Sequence, residues 1–212
     1  LALHADTLAQ KYDVDKIFTP QTVDIPLITS KTRRLKVFSH HMDIIHPGRG
    51  MGSILPEALA AAGAHGTFLN HAERPLSLSE ISQGIIRANE TGLAALVCAN
   101  SLDEACAVAC LQPDIIVVED ASKIGSGSGF TNPESIKQIQ ASIYSIDRNI
   151  KILFGAGIRS PSDVEEVISY GADATGCSSS IMCAPDPIRL MEDMILALKN
   201  AWIKRTQGNQ QI

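Results

Sequence analysis

The amino-acid sequence predicts an α/β protein, a parallel (β/α)8 barrel from which the first β-strand is missing. Short apolar runs rich in β-branched residues alternate with longer helical patterns along all 212 residues, as in βα units around a parallel sheet. The chain begins on a helical pattern and continues with seven strand–helix units. No linker, low-complexity tract or change in composition divides it, so residues 1–212 are predicted to form one domain.

Seven runs are predicted to be strands, because each is short, apolar and rich in β-branched residues. They are Lys16–Thr19, Lys36–His40, Gly66–Asn70, Ala94–Ala99, Asp114–Glu119, Lys151–Phe154 and Asp173–Cys177. Eight longer patterns are predicted to be helices. They are Leu1–Tyr12, Thr22–Ile28, Leu55–Ala62, Leu78–Thr91, Leu102–Leu111, Pro133–Tyr144, Pro161–Tyr170 and Pro187–Arg205. Strands and helices alternate, so the sheet is predicted to be parallel.

The ends of several predicted helices carry capping signals. A cap residue precedes a first-turn proline at Asn132–Pro133 and at Ser160–Pro161. Glycine follows three helical patterns, at Gly63, Gly92 and Gly171, where a left-handed residue ends a helix. These signals support the predicted boundaries.

An open doubly wound sheet is the alternative architecture for the same alternation. In its dinucleotide-binding form, a glycine-rich turn follows the first strand. The glycine-rich segment of this sequence, Gly125–Gly129, follows the fifth predicted strand instead. The barrel is therefore the favoured architecture.

Composition excludes several classes of protein. With 18 Lys and Arg residues against 23 Asp and Glu residues, the net charge is −5, which argues against an obligate binder of nucleic acid. Aromatic residues make up 4%, too few for a platform on which bases stack. Apolar residues make up 45%, which excludes a disordered chain. No apolar run approaches the roughly 20 residues of a membrane helix.

The cysteines and the first residues bear on location. The five cysteines are scattered, without the spacing of a zinc finger or of an extracellular disulfide framework. The first residues lack the charged start and apolar stretch of a signal peptide. We therefore expect a compact protein of the cytoplasm.

Chemically active side chains are expected where strands end, because parallel α/β folds place working residues at the carboxyl edge of the sheet. The third predicted strand runs into Asn-His-Ala-Glu-Arg at residues 70–74, which is either a catalytic cluster or a helix cap with an Arg–Glu pair. Glu119 is the first charge after four apolar residues of the fifth strand. Such a carboxylate is either a general base with a raised pKa or an ordinary loop carboxylate.

Three segments of small residues follow the later strands. Residues 120–129 contain three glycines at alternate positions with serines between them, a pattern that suits a phosphate loop, a hinged lid or a plain linker. Gly155–Gly157 and Ser178–Ser180 follow the sixth and seventh predicted strands. Small residues there allow backbone amides to approach a phosphate, and simple tight turns are the alternative.

Three histidines near the end of the second predicted strand suggest a metal site. They are His40, His41 and His46, with Asp43 between them. Adjacent side chains of a strand face opposite sides, so His40 and His41 do not bind one ion together. No metal is therefore predicted.

In this order, the strand-end motifs resemble those of the triosephosphate isomerase family, in particular its short archaeal-type branch. The motif at residues 70–74 is similar to the family's catalytic histidine motif, with Ala72 where Ser is usual. Val118–Glu119 with residues 124–127 resembles the catalytic glutamate and its closing lid, and residues 151–158 resemble the seventh strand and its phosphate turn. The resemblance runs from about residue 1 to residue 198.

The resemblance implies roles for the motif residues. Glu119 removes a proton next to the carbonyl of a phosphorylated triose, neutral His71 polarises that carbonyl, and Glu73 is a supporting carboxylate. The implied reaction interconverts dihydroxyacetone phosphate and D-glyceraldehyde 3-phosphate in glycolysis and gluconeogenesis, without cofactor or metal. Residues 121–129 close over the phosphate. The implied substrate-binding residues are Ile124, Gly125, Gly157, Ser178 and Ser179.

The family carries a catalytic lysine in an Asn-x-Lys motif at the end of its first strand, and this sequence begins in the helix after that strand. The resemblance therefore predicts an isomerase whose activity is impaired by the loss of that lysine. The alternatives are an isomerase of another short ketose phosphate and a catalytically inactive phosphate-binding barrel. The short loop His46–Ser53 is similar to that of the tetrameric branch, which implies a homodimer or homotetramer.

Overall fold

The structure, a computed structural model, describes residues 1–119, 133–155 and 157–208. In these ranges seven parallel strands form one sheet, in which the order of the strands is their order in the chain. The strands are β1 (Ile17–Phe18), β2 (Lys36–Ser39), β3 (Gly66–Leu69), β4 (Ala94–Ala99), β5 (Ile115–Val118), β6 (Lys151–Phe154) and β7 (Ala174–Thr175). A doubly wound sheet reverses its strand order at a switch point, so that alternative is wrong.

The described part of the chain contains nine α-helices, one more than predicted. They are α1 (Ala2–Tyr12), α2 (Ile25–Thr29), α3 (Pro56–Ala61), α4 (Leu78–Glu90), α5 (Leu102–Ala109), α6 (Pro133–Ile146), α7 (Pro161–Ser169), α8 (Ser179–Met182) and α9 (Pro187–Gly208). The additional helix is α8, a single turn whose serines favour caps over helix interiors, so its sequence carries no helical signal. None of the described helices is long and apolar enough to span a membrane.

The predicted helix ends are confirmed where the structure describes them. Ser160 forms a capping box with Asp163 at the start of α7. The three glycines predicted to end helices adopt positive φ angles, of 86° at Gly63, 71° at Gly92 and 122° at Gly171. The predicted helix at residues 22–28 is a 3-10 turn that leads into α2. The predicted cap at residue 132 lies outside the described residues.

The strands bury two apolar layers, because successive side chains face opposite sides of a sheet. In β4, Val97 and Ala99 pack against the helices, whereas Leu96 and Cys98 face the other side. That second layer consists of strand residues alone, as the interior of a barrel does. Burial, with smaller effects of two nearby glutamates, raises the pKa of the Cys98 thiol to about 12, so it is a packing residue.

β1 and β7 are the outer strands of the sheet, and each pairs with one neighbour over two residues. Helices α1 and α9 are joined by hydrogen bonds. Lys11 Nζ and Tyr12 Oη donate to Glu192 Oε1 at 2.8 and 2.6 Å, and Lys199 Nζ donates to Tyr12 O at 2.7 Å. These contacts join the two ends of the described chain.

Candidate active site

Asn70, at the carboxyl end of β3, begins the turn that carries His71. It is buried and has a φ of 58°, in the left-handed region that asparagine tolerates better than most residues. Its Nδ2 donates to Cys98 O at 2.9 Å and to Glu104 Oε1 at 2.8 Å, and its Oδ1 accepts from Leu76 N at 2.9 Å. These three hydrogen bonds attach both ends of the turn to the neighbouring strand and helix.

The His71 ring is held in one tautomer by its own turn. The backbone N–H of Glu73 donates to His71 Nδ1 at 3.2 Å. Nδ1 is therefore an acceptor, and the neutral ring carries its proton on Nε2. The Glu73 carboxylate is 91% exposed, and its Oε2 lies 3.6 Å from Nδ1, beyond hydrogen-bond distance. The ring itself is 35% exposed, so a ligand can reach it.

Glu119 follows β5 at the same edge of the sheet. Its backbone N–H donates to Ala99 O at 3.0 Å, which extends the pairing of β5 with β4 by one residue. Its carboxylate lies over Gly155, where an added Cβ would clash with Oε1. Burial raises the pKa of Glu119, and the electrostatic effect of the nearby His71 offsets part of that rise. The site therefore contains a half-buried carboxylate near an imidazole.

The loops after β6 and β7 meet beside this pair. Gly157, with a φ of 85°, turns the chain after β6. Ser180 Oγ donates to Ile158 O at 2.7 Å, which joins that turn to the start of α8. The exposed residues Ser178 and Ser179 lie at this junction. Three of the five predicted substrate-binding residues therefore come together, and the other two lie outside the described residues: Ile124 and Gly125, with the rest of the predicted lid.

The triosephosphate isomerase family model matches residues 1–193 of the chain. The chain belongs to this family. Curated relatives named triosephosphate isomerase include one from Methanobacterium bryantii, 34% identical over 92% of this chain and 87% of the relative. Another, from Methanosarcina mazei, is 34% identical over 92% of this chain and 88% of its own length. A third, from Sulfurisphaera tokodaii, is 36% identical over 80% of this chain and 75% of its own length.

Membership of the triosephosphate isomerase family explains the architecture. The family forms a (β/α)8 barrel, and the described residues supply seven parallel strands in consecutive order. The prediction of such a barrel, with seven strands in the part of the chain that the structure describes, is therefore confirmed. The relatives are archaeal, in agreement with the predicted resemblance to the archaeal-type branch.

Arg159 is a residue of this region that sequence reasoning missed. A shallow depression of about 410 Å³ is lined by Arg159, Ser179, Ser180 and Cys183. Arg159 is exposed, and its guanidinium forms no ion pair with any residue in the described ranges. The signal in the sequence that could have indicated it is a basic residue two positions after Gly157.

His40 and His41, which follow β2, have different surroundings. His40 is exposed, and its Nε2 is 3.3 Å from Thr19 O. His41 is buried, and its Nε2 is 3.4 Å from Asp43 Oδ1. Burial and the nearby Arg74 lower the pKa of His41 more than Asp43 raises it, so its ring is neutral at pH 7.

Lys16, just before β1, is a half-buried cation. Burial lowers its pKa to about 8, although the nearby Cys177, which follows β7, acts in the opposite direction. Lys16 forms no ion pair within the described ranges. Its ammonium therefore lies half-buried beside the outer strands, without a carboxylate to stabilise its charge.

Proposed function

We propose that this protein interconverts dihydroxyacetone phosphate and D-glyceraldehyde 3-phosphate through an enediolate. The observation that carries the proposal is Glu119, a half-buried carboxylate with a raised pKa close to His71. Such a carboxylate is a stronger base than a solvated one, as removal of a proton from carbon requires. Membership of the triosephosphate isomerase family supports the same reaction.

The reaction needs one base and one hydrogen-bond donor. Glu119 takes the proton from the carbon next to the carbonyl, and the C–H electron pair forms a C=C bond as the carbonyl oxygen becomes anionic. His71 donates from Nε2 to that oxygen, which the Glu73 N–H bond to Nδ1 favours. Glu119 then returns the proton to the adjacent carbon, while His71 moves a proton between the two oxygens. The isomerisation involves no net oxidation or reduction.

The phosphate of the triose is proposed to lie where the loops after β6 and β7 meet. Gly157 allows close approach of its backbone, and Ser178 and Ser179 present exposed polar groups beside it. Arg159 lines the same region and adds a positive charge that a phosphate dianion would favour. Ile124 and Gly125 are proposed to complete this set of contacts, and Glu73 is proposed as the supporting carboxylate.

The loop His46–Ser53 is proposed to join copies of the chain into a homodimer or homotetramer. All of its residues are exposed, and Met51 at its tip is fully exposed. An apolar side chain at the tip of such a loop gains by burial against a second copy. We further propose a location in the cytoplasm. Light scattering during size-exclusion chromatography tests the assembly, and a monomer at micromolar concentration would contradict it.

A coupled spectrophotometric assay with D-glyceraldehyde 3-phosphate tests the proposed reaction. The matched variant Glu119→Asp keeps the charge but moves the base back by one methylene, and is expected to lose about 10²-fold in kcat. Turnover no higher than that of the variant would overturn the proposal. A tetrulose phosphate assayed in parallel distinguishes the related function, because a higher kcat/KM for it would replace the triose as substrate.

A further inference from the structure

Asp43, in the segment after β2, closes the loop that ends at Ile54. Its backbone N–H donates to Ile54 O at 2.9 Å, and its Oδ2 accepts from Ile54 N at 2.6 Å. These two hydrogen bonds join the two ends of the exposed loop. The side chain of Asp43 is 21% exposed, so the carboxylate is partly shielded from water.

The same carboxylate binds the turn that carries His71. Asp43 Oδ1 accepts from Arg74 Nη2 at 2.8 Å, and the backbone N–H of Arg74 donates to His71 O at 2.7 Å. Burial raises the pKa of Asp43, but the hydrogen bonds from Ile54 and His41 and the charge of Arg74 outweigh it and lower the pKa overall. The carboxylate is therefore ionised at neutral pH, and it binds Arg74 through a charge-assisted hydrogen bond.

Two separate anchors therefore hold the turn on either side of the imidazole. Asn70 attaches the two ends of the turn to β4 and α5, and Arg74 attaches its middle to Asp43. The carboxylate of Glu73 adds no such anchor, because it is 91% exposed. Without the bond to Asp43, Asn70 would be the remaining residue whose side chain attaches the turn to other elements in the described part of the chain.

We infer that Asp43 is a positioning residue, which acts through Arg74 to hold His71 in its working orientation and ties that orientation to the loop closed by Ile54. The inference rests on the proposed isomerase function, in which His71 donates to the substrate oxygen. Because a small displacement of a catalytic group costs a large factor in rate, the effect falls on kcat rather than on KM.

The variant Asp43→Asn keeps the shape of the side chain and removes its charge. We expect a fall of about 10-fold in kcat with KM changed less than twofold. Arg74→Gln should give a similar fall, and the double variant should be no worse than either alone, because both changes break one connection. Asp193→Asn, which breaks the exposed Arg189–Asp193 pair on α9, is the matched control and should leave kcat unchanged.

A readout independent of turnover separates this inference from the proposed function. In the wild type, ¹⁵N NMR of the His71 ring is expected to show an unprotonated Nδ1 and a protonated Nε2, and in Asp43→Asn a mixture of the two tautomers. If the wild type does not turn over triose phosphate but the ring signals change as expected, the proposed function fails and the positioning role stands.

Two outcomes would overturn the positioning role. One is an unchanged kcat and unchanged His71 ring signals in Asp43→Asn. The other is an unchanged kcat and unchanged His71 ring signals in Arg74→Gln. This second test remains available if Asp43→Asn does not fold, because Arg74 is 56% exposed and its variant should fold.

Discussion

The central strands of the sheet, β3 to β6, hold their functional groups more firmly than the outer strands, β1 and β7. On the central strands, called the paired side, β3 to β6 pair over four residues at each step, and Asn70 and Glu119 extend from them into hydrogen bonds with β4. On the outer strands, called the outer side, β1 and β7 each pair over two residues, and Lys16 lies half-buried without an ion pair among the described residues.

The difference shows that the proposed catalytic pair depends on local pairing, not on closure of the sheet. Among the described residues, the hydrogen bonds that position His71 come from its own turn, β4, α5 and the segment after β2. Glu119 contacts Ala99 of β4 and Gly155, the residue after β6. The outer side instead makes the stability of the fold depend on pH, through Lys16. Changes on the paired side should therefore alter catalysis, and changes on the outer side should alter stability.

The largest effect is expected from Glu119→Gln, which removes the proposed base and keeps the shape of the side chain. The variant should lose about 10³-fold in kcat, within the usual contribution of a general base. Because the pKa of Glu119 is raised above its usual 4.5, kcat/KM of the wild type should fall with acid from a pH above that value. A pH–rate profile of the coupled assay measures both.

Glu165→Gln provides the control, because this glutamate lies on the surface in an ion pair with Lys204. It should leave kcat and the acid limb unchanged. An acid limb at or below pH 4.5 in the wild type would count against Glu119 as the buried base.

Asn70→Ala tests whether the turn at His71 is held by the paired side. The change leaves Leu76 N and Cys98 O without their partner and places alanine at a φ of 58°. We expect the free energy of unfolding to fall by about 3 kcal/mol, together with kcat. Urea denaturation measures the first. Asn89→Ala, at an exposed position of α4, should change neither, and equal effects of the two variants would contradict the role of Asn70.

Lys16→Met tests the outer side. The pKa of Lys16 is about 8 in the folded protein against the usual 10.5, so between these values the unfolded chain binds a proton that the folded protein has released. Stability therefore rises with pH between about 8 and 10.5 in the wild type. The variant should lose this rise without change in kcat. Urea midpoints at pH 7 and pH 9.5 measure it, with the exposed Lys31→Met as control.

Glu192→Ala should have the smallest effect. It removes the acceptor of Lys11 and Tyr12 and so loosens the contact between α1 and α9. Because these groups are near water, the thermal midpoint should fall less than in Asn70→Ala, and kcat should not change. A loss of kcat in this variant would show that the outer side takes part in positioning the proposed catalytic pair.

Local patterns predicted the elements that depend on neighbours in the sequence. The seven strands were predicted from apolar runs, and Ser160 and Gly171 from the chemistry of helix ends. The helix α8 was missed because one turn with two serines has no periodicity to detect. Arg159 was missed because its importance depends on the residues that line the same depression, and two of these lie at the start of α8.

The sequence by itself determined the alternation of strands and helices, the family, and the positions of His71 and Glu119 at strand ends. Each of these follows from patterns of residues that are neighbours in the sequence. Only the tertiary structure decided that Gly155 leaves room for the Glu119 carboxylate and that Asp43 binds Arg74, 31 positions along the chain. The physical reason is that hydrogen bonds and burial join residues that the fold brings together, and no local pattern encodes which distant side chains will meet.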